Sequence, residues 1–341
     1  MGFKVVNCMA QPGVDWGDEL LKPLDATLVK GIWMTEDDII KNAKGADAII
    51  GATSAQPFSR RVIESLPNCR IVASAGVGYE MIDVGAATEL VKVATNVPDY
   101  GIDEVSGLAM ALILALGHKI FQVDKAVREK QVNVLKNLKA LMEICYPMFR
   151  MRDQTVGIIG VGRIGMTTGL KCKGLGMRVI GHDPYVFGAV LKNRGIEPVE
   201  LETLLKESDF VSLHTPLSAE TQNMIGYKEF KKMKRTCYFI NTARGKCVDQ
   251  PALIQALQEG LIAGAGIDVT VDEPISPDNP MIKMPNVILT GHSAWYSIEA
   301  QAEMFRKPMT QVVLALEGKF PLYAVNPEVE KKWLQKWGKK S

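Results

Sequence analysis

The stretch from Thr155 to Asp183 limits what this chain can fold into more than any other. An apolar run, Val156 to Ile159, reads as a buried parallel strand. Gly160, Gly162 and Gly165 follow in the spacing G-x-G-x-x-G, and a helical segment runs on to about Gly174. A second apolar run, Met177 to Ile180, leads to Asp183, 18 residues beyond Gly165. Strand, tight turn, helix, strand and acid together form the context a dinucleotide fingerprint requires. Gly160 permits the turn, Gly162 lets the backbone approach a pyrophosphate, and Gly165 allows close packing of helix on strand. The N–H groups of Arg163 and Ile164 then face the phosphates at the positive end of the helix. The Asp183 carboxylate can accept hydrogen bonds from the adenosine ribose and repels a 2′-phosphate, which favours NAD over NADP.

The rest of the chain is compatible with a two-domain α/β protein. At 341 residues it has room for two domains, and 47% hydrophobic with 23% charged residues is ordinary for a globular chain. Lys+Arg 40 against Asp+Glu 38 leaves a net charge of +2, which offers no global attraction to nucleic acid or to a membrane surface. The six cysteines are scattered without a CxxC pair, so the expectation is reduced thiols in a cytoplasmic protein and no metal site. The most apolar run, Leu108 to Leu116, is about half a membrane span and reads as a helix buried on all sides, at a domain or subunit interface.

Alternation of short apolar runs and helical stretches begins at the N-terminus. Strands are expected at Phe3–Cys8, Ala26–Val29, Ala46–Ala52, Arg70–Ala75 and Val91–Thr95, with helices around Leu20 and at Glu36–Ala43, Ser59–Leu66 and Glu80–Glu89. This part lacks the dinucleotide fingerprint and is assigned to substrate; the turn Ala75–Gly78 can hold a small anion on its N–H groups. After Asp183, strands are expected at Phe210–Leu213, Cys237–Asn241, Ala263–Val269 and Val287–Leu289, giving six or seven parallel strands in a doubly wound sheet. Pro308 should kink the last helix, Ser297–Glu317, and the tail is expected to be solvated, with Trp333 and Trp337 on the body or on a neighbouring subunit.

Three stretches follow strands of the second half where α/β sheets place ligands: Asn241–Gly245, Asp268–Pro274 and Thr290–Trp295. Arg244 can grip a carboxylate with two N–H bonds, His292 can exchange a proton, and Glu273 can pair with His292 and favour its protonated form.

NTARG, an Asp-Val with a Glu-Pro shortly after, and a His after an apolar strand, all downstream of GVGRIG, resemble the D-specific 2-hydroxyacid dehydrogenases from about Ala46 to Gly318. The resemblance implies two Rossmann-like domains, a flavodoxin-like substrate domain (1–117 with 297–341) and an NAD-binding domain (118–296), usually as a homodimer. It makes Arg244, Glu273 and His292 the catalytic set. It places substrate on Val77, Gly78, Tyr100 and Trp295. It places NAD on the glycine turn and Asp183, on His214, Thr215, Pro216 and Thr221, and on Thr242, Ala243, Arg244, Asp268 and His292. The implied reaction is hydride transfer between NAD(H) and C2 of a 2-oxo or D-2-hydroxy acid. Thr290-Gly291 departs from the family's usual Thr-Pro, and 129–150 departs from its usual linker. Trp295-Tyr296-Ser297 resembles a subset that includes the C-terminal-binding proteins, which makes an NAD(H)-sensing scaffold one alternative and phosphoglycerate dehydrogenase another. The loops expected around the substrate side chain, Thr53–Phe58, Ala75–Tyr79, Tyr100 and Trp295, contain no Lys or Arg, so a neutral, partly apolar side chain is expected.

Overall fold

The computed structural model describes residues 2–51, 56–130 and 132–339. It separates into two compact units, residues 1–100 with 297–341, and residues 101–296. Positions 53–55 of the expected substrate loop lie outside the described residues.

The first unit carries five parallel strands, β1 (Lys4–Asn7), β2 (Thr27–Lys30), β3 (Ala48–Gly51), β4 (Ile71–Ser74) and β5 (Val93–Thr95), in the order β2-β1-β3-β4-β5. β3, β4 and β5 are buried along their whole length, as continuous apolar runs covered by helices on both faces must be. The segment around Leu20 is a 3₁₀ helix, Asp18–Leu24, with Pro23 inside it. The last helix, Ile298–Leu316, returns to this unit, capped by the Ser297 hydroxyl accepting from Ala300 N–H. It stays continuous through Pro308. Trp333 is fully buried here and its indole donates to the Arg70 carbonyl at 2.9 Å, while Trp337 donates to Val91, so both tryptophans dock on the body.

The second unit carries seven parallel strands, β6 (Thr155–Ile159), β7 (Arg178–His182), β8 (Glu197–Pro198), β9 (Phe210–Leu213), β10 (Tyr238–Asn241), β11 (Gly264–Ile267) and β12 (Val287–Leu289), ordered β12-β11-β10-β9-β6-β7-β8. The direction of build-up reverses beside β6, between β9 and β7, which is where ligands bind in doubly wound sheets. Each buried Val, Leu or Ile of these strands contributes ~1.5–3 kcal/mol by leaving water. β8 is a strand that the sequence pattern did not anticipate, two residues long at the sheet edge.

Two expectations need correction. Helix Ile102–Gly117 packs on β10, β11 and the helix Arg163–Gly174 of the second unit, where the sequence reading assigned it to the first. Nor is it buried on all sides: Val105, Ala109, Leu112, Ile113 and Leu116 form its buried face, and Ala111 is exposed. No single helix among the described residues is long and apolar enough to cross a membrane.

Candidate active site and cofactor site

The glycine turn has the geometry its spacing requires. Gly160 follows β6 with φ 84°, in the left-handed region, and a Cβ there would sit 2.9 Å from the backbone of His214 and Thr215. At Gly165 a Cβ would meet the Gly160 carbonyl oxygen at 2.0 Å, so only glycine lets the helix Arg163–Gly174 lie against the turn. Gly162, at the N-cap of that helix, has open space within 4 Å of where its Cβ would be. The N–H groups of Arg163 and Ile164 open the helix beside that space. Asp183 fastens the turn as well as facing it: Val161 N–H donates to its Oδ2 at 2.8 Å and Tyr185 N–H to its Oδ1 at 2.9 Å. Two of the four lone-pair positions of its carboxylate remain for a ribose.

Thr242 and His214 lie at the ends of adjacent strands, since Asn241 of β10 pairs with Leu213 of β9. Thr242 Oγ1 and His214 Nδ1 are buried without a hydrogen-bond partner among the described residues. The other ring nitrogen, His214 Nε2, lies 2.8 Å from Ser212 Oγ. Burial pushes this imidazole down to about 4, so it is neutral at physiological pH. Orphaned polar atoms of this kind call for a ligand to complete them. Thr221 instead serves its own loop, donating to the Pro216 carbonyl at 2.6 Å and accepting from Ser218 N–H at 2.8 Å. Thr215 lies at the same strand end, its hydroxyl against Met224 Sδ.

Three neighbouring strand ends, those of β10, β11 and β12, bring Arg244, Glu273 and His292 together. Gly245 is pressed against the Thr270 backbone, where a Cβ would be 2.1 Å from the carbonyl, so the loops bearing Arg244 and Glu273 interlock. Arg244 Nη1 donates to the Ala243 carbonyl at 2.8 Å. His292 Nδ1 lies 2.7 Å from Glu273 Oε2, with both side chains about a third exposed. Burial pushes the Glu273 carboxyl up. The His292 hydrogen bond and charge, the Thr270 N–H and the Arg244 charge outweigh it and hold the group below the usual carboxylate range.

The turn that delivers His292 hangs on Asp268. This buried carboxylate accepts from Thr290 Oγ1 at 2.6 Å, Ser293 N–H at 3.0 Å and Ala294 N–H at 3.2 Å, and its carbonyl accepts from His292 N–H at 2.6 Å. Gly291 at φ 62° and His292 at φ 58° are successive left-handed residues, a conformation costly for a histidine unless its surroundings hold it. Trp295 follows, half-buried, its ring edge-on to Tyr296 at 5.4 Å.

Within the first unit, Val77 and Gly78 sit in the turn after β4. Ser74 Oγ donates to the Gly78 carbonyl at 3.0 Å and Asn96 Nδ2 to the Val77 carbonyl at 2.6 Å. Their carbonyls are therefore occupied by the fold. Tyr100 lies at the end of this unit, half-buried.

The D-isomer specific 2-hydroxyacid dehydrogenase model, NAD binding domain, matches residues 110–294. A glyoxylate reductase of Korarchaeum cryptofilum is 41% identical over 293 residues, 86% of either chain. The chain belongs to the D-isomer specific 2-hydroxyacid dehydrogenase family. A D-3-phosphoglycerate dehydrogenase of Archaeoglobus fulgidus is 35% identical over 87% of this chain but only 55% of its own length. Among solved structures, the NAD-complexed D-isomer specific 2-hydroxyacid dehydrogenase of Lactobacillus delbrueckii ssp. bulgaricus superposes with a TM-score of 0.75 at 27% identity, covering 95% of this chain and all of that one. The enzyme is thus an NAD-dependent oxidoreductase acting between 2-oxo and 2-hydroxy acids.

The cofactor is consistent with what the residues offer: space at Gly162, the orphaned polar atoms of His214 and Thr242 at the ends of β9 and β10, and an unspent half of the Asp183 carboxylate. The motifs contain Asn241 and Thr290 but give neither a role, and they do not include Ser212. Asn241 bonds Ala243 N–H and the Arg244 carbonyl, each at 3.0 Å, and so shapes the loop that aims Arg244. Asn241 is signalled locally as a polar residue ending an apolar run and opening NTARG, whereas Ser212 is a lone polar residue inside the run Phe210–Leu213.

Proposed function

We propose that this dehydrogenase reduces a small, unphosphorylated 2-oxo acid, with Arg244, Glu273 and His292 as its catalytic set and glyoxylate as the first substrate to try. The observation that carries the reading is the 2.7 Å contact between His292 Nδ1 and Glu273 Oε2, with the Arg244 charge close enough to act on the same carboxylate. Donation of Nδ1–H to Glu273 leaves Nε2 for the substrate. In reduction His292 gives its Nε2 proton to the carbonyl oxygen, and in oxidation it takes that proton back. Arg244 grips the substrate carboxylate and polarises the adjacent carbonyl. Bound NADH supplies the hydride to C2. Trp295 serves the side-chain end, while Thr215, Pro216, Thr242, Ala243 and Asp268 serve the cofactor. Absence of Lys and Arg from Ala75–Tyr79, Tyr100 and Trp295 argues against a phosphorylated substrate.

We also infer a homodimer. The segment 120–149 displays Phe121, Leu135, Met142 and Tyr146, 56%, 94%, 63% and 81% exposed, an apolar series that a second copy would cover. Six cysteines, five of them buried and none in a disulfide among the described residues, fit a reducing compartment such as the cytoplasm.

The test follows NADH absorbance with glyoxylate, hydroxypyruvate, phenylpyruvate and phosphohydroxypyruvate. Higher kcat/KM for an unphosphorylated acid is expected; preference for phosphohydroxypyruvate would refute the substrate reading, and only slow turnover on all four would favour a scaffold. His292→Ala should lower kcat by ~10²–10⁴ with NADH affinity unchanged.

A further inference from the structure

Asp183 is one of two acids at the adenosine end of the nucleotide site. β7 and β9 flank β6 in the sheet, so the segments after them run on either side of the turn that starts at Gly160. Both touch it, one through the bond from Val161 N–H to Asp183 and the other through the backbone of His214 and Thr215 packed on Gly160. Side chains close the ring, for the Tyr185 hydroxyl donates to Glu220 Oε2. Tyr185 is itself tied to Asp183 through its N–H at 2.9 Å. Thr221, by bonding Pro216 and Ser218, fixes the loop on which Glu220 sits. The Tyr185 phenol is held above its usual range by the bond to Glu220 and by that carboxylate's charge, with Asp183 adding to it, so both negative charges act on the same hydroxyl. Among the described residues neither Asp183 nor Glu220 enters an ion pair.

We propose that Glu220, aimed by Tyr185 across the glycine turn, is a second specificity residue that excludes the 2′-phosphate of NADPH. The inference rests on NAD binding at this turn and not on the catalytic set. A ribose held by Asp183 brings any 2′-phosphate toward two carboxylates that no described cation neutralises. Tyr185 acts through Glu220 as a positioning residue. Both side chains project into solvent, with Tyr185 77% exposed, so changing them spares the core.

The experiment measures Kd for NADH and for NADPH by nucleotide fluorescence on the full-length protein without substrate. Glu220→Gln keeps an acceptor for Tyr185 and removes only the charge. It should tighten NADPH about three- to tenfold at low salt and leave NADH within about twofold, with the gain shrinking as salt rises. Tyr185→Phe should give part of that change and add nothing to Glu220→Gln in the double variant. Asp183→Asn is the comparison: if it narrows the preference while Glu220→Gln leaves the ratio unmoved, the proposal is overturned and Asp183 acts alone. If the unaltered protein binds both nucleotides equally, the preference for NAD itself is refuted.

Discussion

Gly162 and Gly165 stand three residues apart in one turn, yet the structure gives them different duties, and alanine separates the two. At Gly162 the backbone has φ −71°, open to any L-residue, and nothing lies within 4 Å of an added Cβ. Losing a glycine from the unfolded chain favours folding by ~0.4–1 kcal/mol. Alanine is a poorer N-cap than glycine by a similar amount, up to ~1 kcal/mol. The two nearly cancel, so Gly162→Ala should keep Tm within about 3 °C, at ~2–4 °C per kcal/mol for a unit of this size. The new methyl stands where a pyrophosphate must approach, and overpacking of ~1–3 kcal/mol corresponds to NADH affinity lower by ~5- to 150-fold. At Gly165 the methyl would begin 2.0 Å from the Gly160 carbonyl oxygen and 3.1 Å from Ile158 Cγ2. The helix has to move by about an ångström, at ~1–3 kcal/mol, which outweighs the ~1 kcal/mol gain in helix propensity by up to ~2 kcal/mol. Gly165→Ala should therefore lower Tm by several degrees and weaken NADH as well. Calorimetry and NADH titration of both variants decide the matter. A Gly162→Ala protein that binds NADH as the parent does would show that the phosphates do not pass this residue, and an unshifted Tm for Gly165→Ala would sink the packing argument.

Three further expectations concern proton transfer and its support. Glu273→Gln retains an acceptor for His292 but removes the charge beside it, so kcat should fall while NADH affinity holds; an unchanged kcat would mean that the Glu273 charge does not support proton transfer. Asp268→Ala strips the acceptor from Thr290, Ser293 and Ala294 and should lower both Tm and kcat, with loss of at least ~2 kcal/mol from two stranded N–H groups; a kcat left intact would free the His292 turn from this anchor. His214 is buried neutral at about 4 against an ordinary 6.5, so the unfolded chain takes up a proton first as pH falls. Stability should be full above pH 6.5 and decline by up to ~3 kcal/mol toward pH 4, a slope that His214→Gln should flatten in urea titrations.

The glycine turn was legible because one local segment, Val156 to Asp183, contains every part of it at fixed spacing. Most strands were legible for a similar reason, since sheets buried on both faces demand continuous apolar runs, as in Ala48–Gly51 and in Val156 to Ile159. Arg244, Glu273 and His292 were ambiguous singly and gained meaning only in combination. What escaped depends on partners far along the chain. Asp268 reads as a polar residue after a strand, and only the return of Thr290, Ser293 and Ala294 makes it the anchor of a turn. Edge strand Glu197–Pro198 has neither an apolar run nor β-formers, and its pairing with Ile180 and Gly181 creates it. Helix Ile102–Gly117 is apolar enough for either unit, and its packing on β10, β11 and the helix Arg163–Gly174 decides which one.

The pair Gly291-His292 has a consequence for anyone hoping to toughen this enzyme. Proline is locked near φ −65°, whereas Gly291 stands at φ 62°, so the Thr-Pro usual in related dehydrogenases cannot be written into this turn. An ordinary recipe for a hardier protein, a proline to stiffen a loop, would here wrench the histidine off its mark. Heat-proofing has to begin elsewhere in the chain, and positions 290–292 are to be inherited whole.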